Sequence, residues 1–420
     1  MTDHLPTPKS ERLPLTAFFW LYIAQSVPMS FLSTALQVIM REHEFSLTTI
    51  GLLQLVKLPW ILKFLWAPQV DRHCRSRRQF RHFILGSEIT YALALLATAW
   101  LDVATQFYAV FALVLLALTA SATQDIATDA LAAITFRNTD KSRVNSIQSM
   151  GNFVGTLVGG GLLLMILHYY GWQLVLVCLA IFVVAASAPM LTTRRLPEIE
   201  ADQRPRARTA DLLSFFRQPG IAPHVAYLIV CYAAIIGLLA VLRPWLVDLG
   251  YVLREIGLLS GIVGTGAAAL AAYLGTPLVR RAGLRRAMMV TAILPCVAVA
   301  YFAVLASGAL AACSGWWPNA LLTVGVVVLW GAYGAASMVV YTAAMRRVRP
   351  GREGTDFTLQ TVVTHLAGMV VAIVASRLAD ALGYAALFVL LLALAVATLV
   401  YVVLAMHPAP ETPTSSNPEA

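Results

Sequence analysis

Two aspartates, Asp125 and Asp129, interrupt an apolar stretch that otherwise runs from about Thr105 to Phe136. Four residues apart on a helix, their carboxylates lie on one face, one turn from each other. A charge at the centre of a bilayer costs about 2.5–3.5 kcal/mol on insertion scales, so two on one stripe need counter-charges, water or a task. Such carboxylates either neutralise buried cations or take up and release a proton. Lys57 and Lys63 lie in an earlier apolar run, and Glu88 lies in the run between. Because successive runs cross in opposite directions, Lys63, Glu88 and Asp129 are expected at similar depth. One reading is an ion-paired cluster that holds the helices together. The other makes Asp125, the deeper group, or Asp129 a proton carrier.

The elements that must position these groups are membrane helices. Hydrophobic residues make up 59% of the 420-residue chain, mean hydropathy is +0.75 and only 12% is charged, against about 25% in soluble proteins. Apolar runs long enough to cross a bilayer recur at about 15–40, 47–68, 83–101, 105–136, 145–167, 171–191, 221–247, 256–278, 287–310, 317–345, 356–379 and 383–406. The pattern predicts an all-α polytopic membrane protein with twelve transmembrane helices.

The net charge of +9 could suggest a nucleic-acid partner, but its placement argues otherwise. Basic residues collect in alternate loops, as in Arg72, Arg75, Arg77, Arg78 and Arg81, then Arg280, Arg281, Arg285 and Arg286, then Arg346, Arg347, Arg349 and Arg352. The opposite loops hold Arg41, Arg254 and Arg377. This asymmetry predicts both termini in the cytoplasm and makes the bilayer, not nucleic acid, the partner. No cleaved signal peptide is expected, because a polar N-tail precedes a full-length span. Five scattered cysteines without a C-x-x-C support neither disulfides nor metal ligation.

The charged stretch Arg194–Arg217, with Pro197, Pro205 and Pro219, divides the runs six and six. The expected organisation is an N-tail over 1–14, a six-helix bundle over 15–191, a central loop over 192–220, a second bundle over 221–406 and a disordered tail over 407–420. The halves resemble each other. Ile50-Gly51-Leu52-Leu53 recurs as Ile256-Gly257-Leu258-Leu259, Pro68, Val70, Arg72 and Arg77 recur as Pro277, Val279, Arg281 and Arg286, and Gly171 recurs as Gly383. Two six-helix pseudo-repeats about an axis along the membrane normal describe the major facilitator architecture. The loop Val70-Asp71-Arg72-His73-Cys74-Arg75-Ser76-Arg77-Arg78 resembles that superfamily's signature, although Ala67 and Cys74 stand where glycine is usual. The resemblance implies that Asp71 and Arg72 form a cytoplasmic gate between the halves.

Leu58-Pro59-Trp60-Ile61-Leu62-Lys63-Phe64-Leu65-Trp66-Ala67-Pro68 and Ser121-Ala122-Thr123-Gln124-Asp125-Ile126-Ala127-Thr128-Asp129-Ala130 resemble the branch of the muropeptide permease AmpG, the acetyl-CoA transporters and the RhtX/FptX siderophore importers. Gly354-Thr355-Asp356-Phe357-Thr358-Leu359-Gln360 is closer to the siderophore importers. The resemblance implies a monomeric inner-membrane importer that carries a ferric siderophore from the periplasm with protons. The alternative it implies is a proton-driven permease for muropeptides or another bulky solute such as an acyl-CoA.

Candidate substrate-binding groups are Arg243 and Trp245, a cation beside an aromatic ring, with Gln25, Trp20, Tyr341, Gln360 and His365. His365 is read first as a packing residue, although an unperturbed pKa of about 6.5 would permit proton exchange. Gly151, Gly155, Gly159, Gly160 and Gly161 form a small-residue seam for close helix packing. No G-x-x-x-x-G-K-[ST] is present, so an ion gradient is the expected energy source. No catalytic constellation, metal or cofactor is expected.

Overall fold

The computed structural model describes residues 15–44, 56–192, 205–310 and 315–406. The two tails, and residues 47–55 of the second apolar run, lie outside the described residues. Among those described, every regular element is helical. The principal helices are α1 (Leu15–Glu42), α2 (Leu58–Leu62), α3 (Ala67–His73), α4 (Arg77–Ala99), α5 (Phe107–Thr135), α6 (Lys141–Leu157), α7 (Leu163–Ala186), α8 (Asp211–Phe215), α9 (Ile221–Val230), α10 (Ala233–Asp248), α11 (Thr265–Leu274), α12 (Leu284–Val304), α13 (Trp317–Arg346), α14 (Glu353–Leu382) and α15 (Tyr384–Ala405).

Ten helical segments among the described residues are long and apolar enough to cross a membrane. One of them, Lys141–Met190, has 50 residues, which as a single helix would be about 75 Å long, more than twice a bilayer's hydrocarbon core. It breaks at Gly171 (φ 77, ψ 171), a left-handed position that glycine adopts without a Cβ clash. Gly383, its partner in the sequence repeat, has nearly the same conformation (φ 80, ψ 166) and opens α15. Two spans therefore share that long segment. With the second run added, the count accords with the twelve expected.

The apolar residues sort into separate cores. Phe31, Leu95, Val114 and Leu176 belong to one, built wholly from residues before 184. Leu238, Phe302, Leu329 and Phe388 belong to another, built wholly from residues after 226. A third cluster joins the two sets at the end that carries the basic loops, where Tyr22, Val70, Phe80 and Ile126 meet Ala344, Met345 and Phe357. Across the seam α6 packs on α11 and α13, and α14 packs on α3 and α5. Neither α1 nor α10 packs substantially on the opposite set. Among the described residues the molecule is closed at its basic-loop end and parted towards the other.

Helix ends make that closure. The Asp71 carboxylate accepts hydrogen bonds from the backbone N–H of Gly354 at 3.0 Å and of Thr355 at 2.6 Å, and from the Thr355 hydroxyl at 2.7 Å. It thus caps the positive N-terminus of α14. Lys141 Nζ donates to the Met345 carbonyl at 2.9 Å, placing a cation at the negative C-terminus of α13. Of the two residues expected at a gate, Asp71 makes these contacts between the halves, whereas Arg72 is exposed. Beside it Arg349 forks onto Asp356 at 2.7 and 2.8 Å and Arg352 pairs with Asp211 at 2.8 Å, tying α8 down.

Burial pushes the Asp71 carboxyl up to about 7 from the usual 3.8, and nearby Glu353 adds to this against the hydrogen bonds from Thr355 and Gly354. A closed state with the higher pKa holds the proton more tightly than an open one with Asp71 in water. That contribution to closure is complete below about pH 4 and is lost as pH rises through about 7. Raising pH from 6 to 8 will therefore favour opening at this end, read as a longer distance between spin labels on the two halves. In Asp71→Asn that pH dependence will flatten; an unchanged profile would exclude Asp71 as its source.

Candidate functional site

Asp125 and Asp129 occupy successive turns of α5 and are 3% and 1% exposed. α1 runs alongside so that two of its side chains, one turn apart, meet them in turn. Gln25 Nε2 donates to Asp125 at 2.9 Å, and Tyr22 Oη donates to Asp129 at 2.8 Å. From α6, Gln148 Nε2 donates to Asp129 at 3.0 Å. Lys63, in the short 3-10 turn between α2 and α3, is 3% exposed and forms a salt bridge with Asp125. Its ammonium also stands 4.7 Å from the centre of the Trp60 ring. The two carboxylates therefore differ. Asp125 is matched by a cation, whereas Asp129 is held by two neutral donors.

The second half faces this site with two side chains. Tyr341, on α13, packs edge-on against Phe357 and interacts electrostatically with both aspartates. His365, midway along α14, is exposed and interacts electrostatically with Lys63 and Asp125. Its exposure on a helix that packs on α5 marks it as a group of the inter-half cleft rather than of a packed core. The arrangement can hold one ion pair and one proton, and it can sense from the second half what happens to them.

Several expected members lie elsewhere. Lys57 is half-buried on the turn before α2 and makes no ion pair among the described residues, and Asp125 is paired with Lys63. Glu88 is 2% exposed, but it interacts with Tyr91 and not with Lys63 or Asp129. Trp20 points away from the carboxylates, packing edge-on against Phe19 and Phe182. Trp245 is buried among Phe302, Tyr384 and Phe388 rather than lining a cleft. Arg243 beside it is exposed and does not pair with Asp248, which instead accepts a hydrogen bond from Tyr384 at 2.5 Å. Gln360 is fully buried, donating to the Ala344 and Asp356 carbonyls and meeting His224 Nε2 at 2.6 Å. A cavity of about 620 Å³ lined by His43, Asp102, His168 and Trp172 opens at the end opposite the basic loops, within the first half.

Sequence reasoning missed Tyr22 and Gln148. Gln148 carried a usable signal, a polar side chain three residues before the glycine seam. Tyr22 carried little, since a tyrosine in an apolar run is ordinary.

The comparisons with known proteins agree with this architecture. The chain is 28% identical over 281 residues to the anhydromuropeptide permease of Escherichia coli, covering 64% of this chain and only 56% of that protein. It is 25% identical over 376 residues to an uncharacterised protein of Haemophilus influenzae, covering 85% and 86% of the two chains. The crystal structure of the human organic anion transporter TETRAN superposes with a TM-score of 0.73 at 15% identity, over 94% of this chain and all of that one. That likeness shows the fold, a paired-bundle all-helical architecture. A family model matches residues 18–354, and with the paired-bundle fold it shows that the chain belongs to the Major Facilitator Superfamily.

Proposed function

We propose that this chain imports a bulky polar solute of the anhydromuropeptide class across the bacterial inner membrane with protons, by alternating access. The superfamily makes it a multi-pass membrane transporter. The solute class rests on the named relative. The observation that carries the energy coupling is the unequal carboxylate pair. Asp125 is committed to Lys63, while Asp129 is surrounded only by neutral donors. An ionised Asp129 would be a buried charge without a cation at bonding distance, and a protonated one would not. Asp129 is therefore the proton carrier in this reading, and Asp125 with Lys63 positions it. His365 and Tyr341 link its state to the second half. In this orientation the termini and basic loops are cytoplasmic, Asp71 closes the inner gate, and one chain is the working unit.

One proton moving inward gains about 2.3 kcal/mol per 100 mV, enough to sustain roughly a fiftyfold solute gradient. A ferric siderophore is the second reading, favoured by the likeness of residues 354–360 to siderophore importers. In the structure that segment is capped by Asp71, to which the Thr355 hydroxyl also donates, and its Gln360 meets His224, so these side chains have structural occupations. That weakens its value as a mark of substrate.

Uptake of labelled anhydromuropeptide and of labelled ferric siderophore, in cells without their own importers, separates the two. Muropeptide accumulation that a protonophore abolishes is expected. Siderophore uptake alone would replace the first reading by the second. In Asp129→Asn, accumulation will fall by up to about fiftyfold, to equilibration, while solute exchange down its own gradient persists. Full accumulation by that variant would remove the proton from Asp129.

A further inference from the structure

One buried acid takes no part in the site above. Glu88 and Tyr91 lie one turn apart on α4, and Ser121 and Gln124 lie one turn apart on α5, which packs antiparallel along it. All four are 1–2% exposed. Both Glu88 carboxylate oxygens, Tyr91 Oη, Ser121 Oγ and Gln124 Oε1 have no hydrogen-bond partner. Tyr91 interacts with the Glu88 carboxylate and with the Ser121 hydroxyl, although none of these atoms meets hydrogen-bond geometry with another. The Gln124 amide nitrogen is engaged by Thr128 at 2.9 Å, which leaves its oxygen as the remaining acceptor. Lys63 is committed to Asp125.

We propose that Glu88, Tyr91, Ser121 and Gln124 form an oxygen-lined site for one Na⁺ between α4 and α5. Hard cations bind oxygen at about 2.3–2.6 Å, so oxygens that share one stand about 3.4 Å or more apart. Such oxygens lie near each other without being bonded; here the Tyr91 hydroxyl interacts with Glu88 and with Ser121, and Gln124 stands one turn from Ser121 on the same helix face. The Tyr91 and Ser121 hydroxyls can each donate as well as accept, yet neither reaches an acceptor in the cluster, whereas one ion placed among them would serve all the oxygens together. The charge selects the valence, because one carboxylate is neutralised by a monovalent ion and a divalent one would leave a net charge in the apolar interior. An all-oxygen set also excludes soft metals.

The test needs neither solute nor gradient, so it is independent of the transport reading. Thermal unfolding of the purified full-length protein is followed in NaCl, KCl and choline chloride at equal ionic strength and fixed pH. Na⁺ is expected to raise the midpoint by about 3 °C at saturation, K⁺ and choline much less. Glu88→Gln will abolish the Na⁺ response. Should that variant fail to fold, Ser121→Ala, which removes a hydroxyl without a hydrogen-bond partner, will weaken the apparent Na⁺ affinity about tenfold. Coincident curves in the three salts, or a Na⁺ response that survives in Glu88→Gln, would overturn the site. A midpoint that follows pH and ignores Na⁺ would assign Glu88 to a proton instead.

Discussion

Lys63→Met will destabilise the protein by about 3–5 kcal/mol, because it leaves Asp125 as an unpaired buried charge. Methionine has an unbranched apolar chain of similar length to the lysine stem, so the loss measures charge rather than volume. Adding Asp125→Asn will restore most of that stability, since the amide oxygen still accepts from Gln25 and no charge remains. Uptake will not return in the double variant. The neutral pair can no longer hold Asp129 in a defined field, and His365 loses both charges it faces. Thermal unfolding and proton-driven uptake, measured on both variants, separate fold from function. A single variant that loses less than about 1 kcal/mol would show that the pair is solvated and not a buried ion pair. A double variant with normal uptake would confine both residues to a structural role.

The sequence was informative where a residue's type alone decided its fate. Asp125, Asp129 and Lys63 were legible because charges are rare in apolar runs and need one another there. Gly171 and Gly383 were legible as repeat partners, and they share a backbone conformation that glycine favours. Cys74 shows the converse. The equivalent residue of the second half is Gly283 at φ 81, while Cys74 sits at φ −89, so the two loops leave their helices differently. Legibility failed where rotation about a helix axis decides the partner. Glu88 is buried but faces Tyr91. Trp20 lies two residues before Tyr22, on the far side of the same helix, and packs against Phe182. Trp245 and Gln360 were chosen for their chemistry, yet packing against α12 and α15 and a bond from His224 decide what they do.

Closure at the basic-loop end uses the same economy of parts. An aspartate of the first half sits on a helix N-terminus of the second, and a lysine of the first half sits on a helix C-terminus of the second. Both contacts join side chains to backbone, so they form or break as rigid helices move and need no new side-chain packing. The carboxylate site lies on the same contact face, since α14 packs on both α3 and α5. A movement of α14 that releases Asp71 therefore also changes what His365 faces. In the proposed cycle this links the state of Asp125 and Asp129 to access from the basic-loop side.

At Gly155 and Gly159 the seam that carries the site's neutral donors has no room for an added atom. A Cβ at Gly159 would lie 2.2 Å from the Val27 carbonyl oxygen and 2.9 Å from the Phe31 nitrogen, and one at Gly155 would lie 2.3 Å from Ser26 Cβ. These neighbours are backbone or the root of a side chain, so no rotamer change relieves them. Gly159→Ala will cost about 3 kcal/mol or more through displaced backbone. Gly161, two residues on, has nothing within 4 Å of its added Cβ, and Gly161→Ala will be neutral or stabilising by up to about 1 kcal/mol. Detergent-extracted yield and unfolding midpoint of the two variants will differ sharply, and equal tolerance would mean that α1 and α6 are not in close contact. The consequence reaches the site. Tyr22 on α1 and Gln148 on α6 both donate to Asp129 across this seam, and Tyr22 Cβ is the atom nearest an added Cβ at Gly151. A seam widened by one methyl draws those donors apart, so Gly155→Ala protein that still folds will lose proton-driven uptake even though no group that handles the proton has been changed.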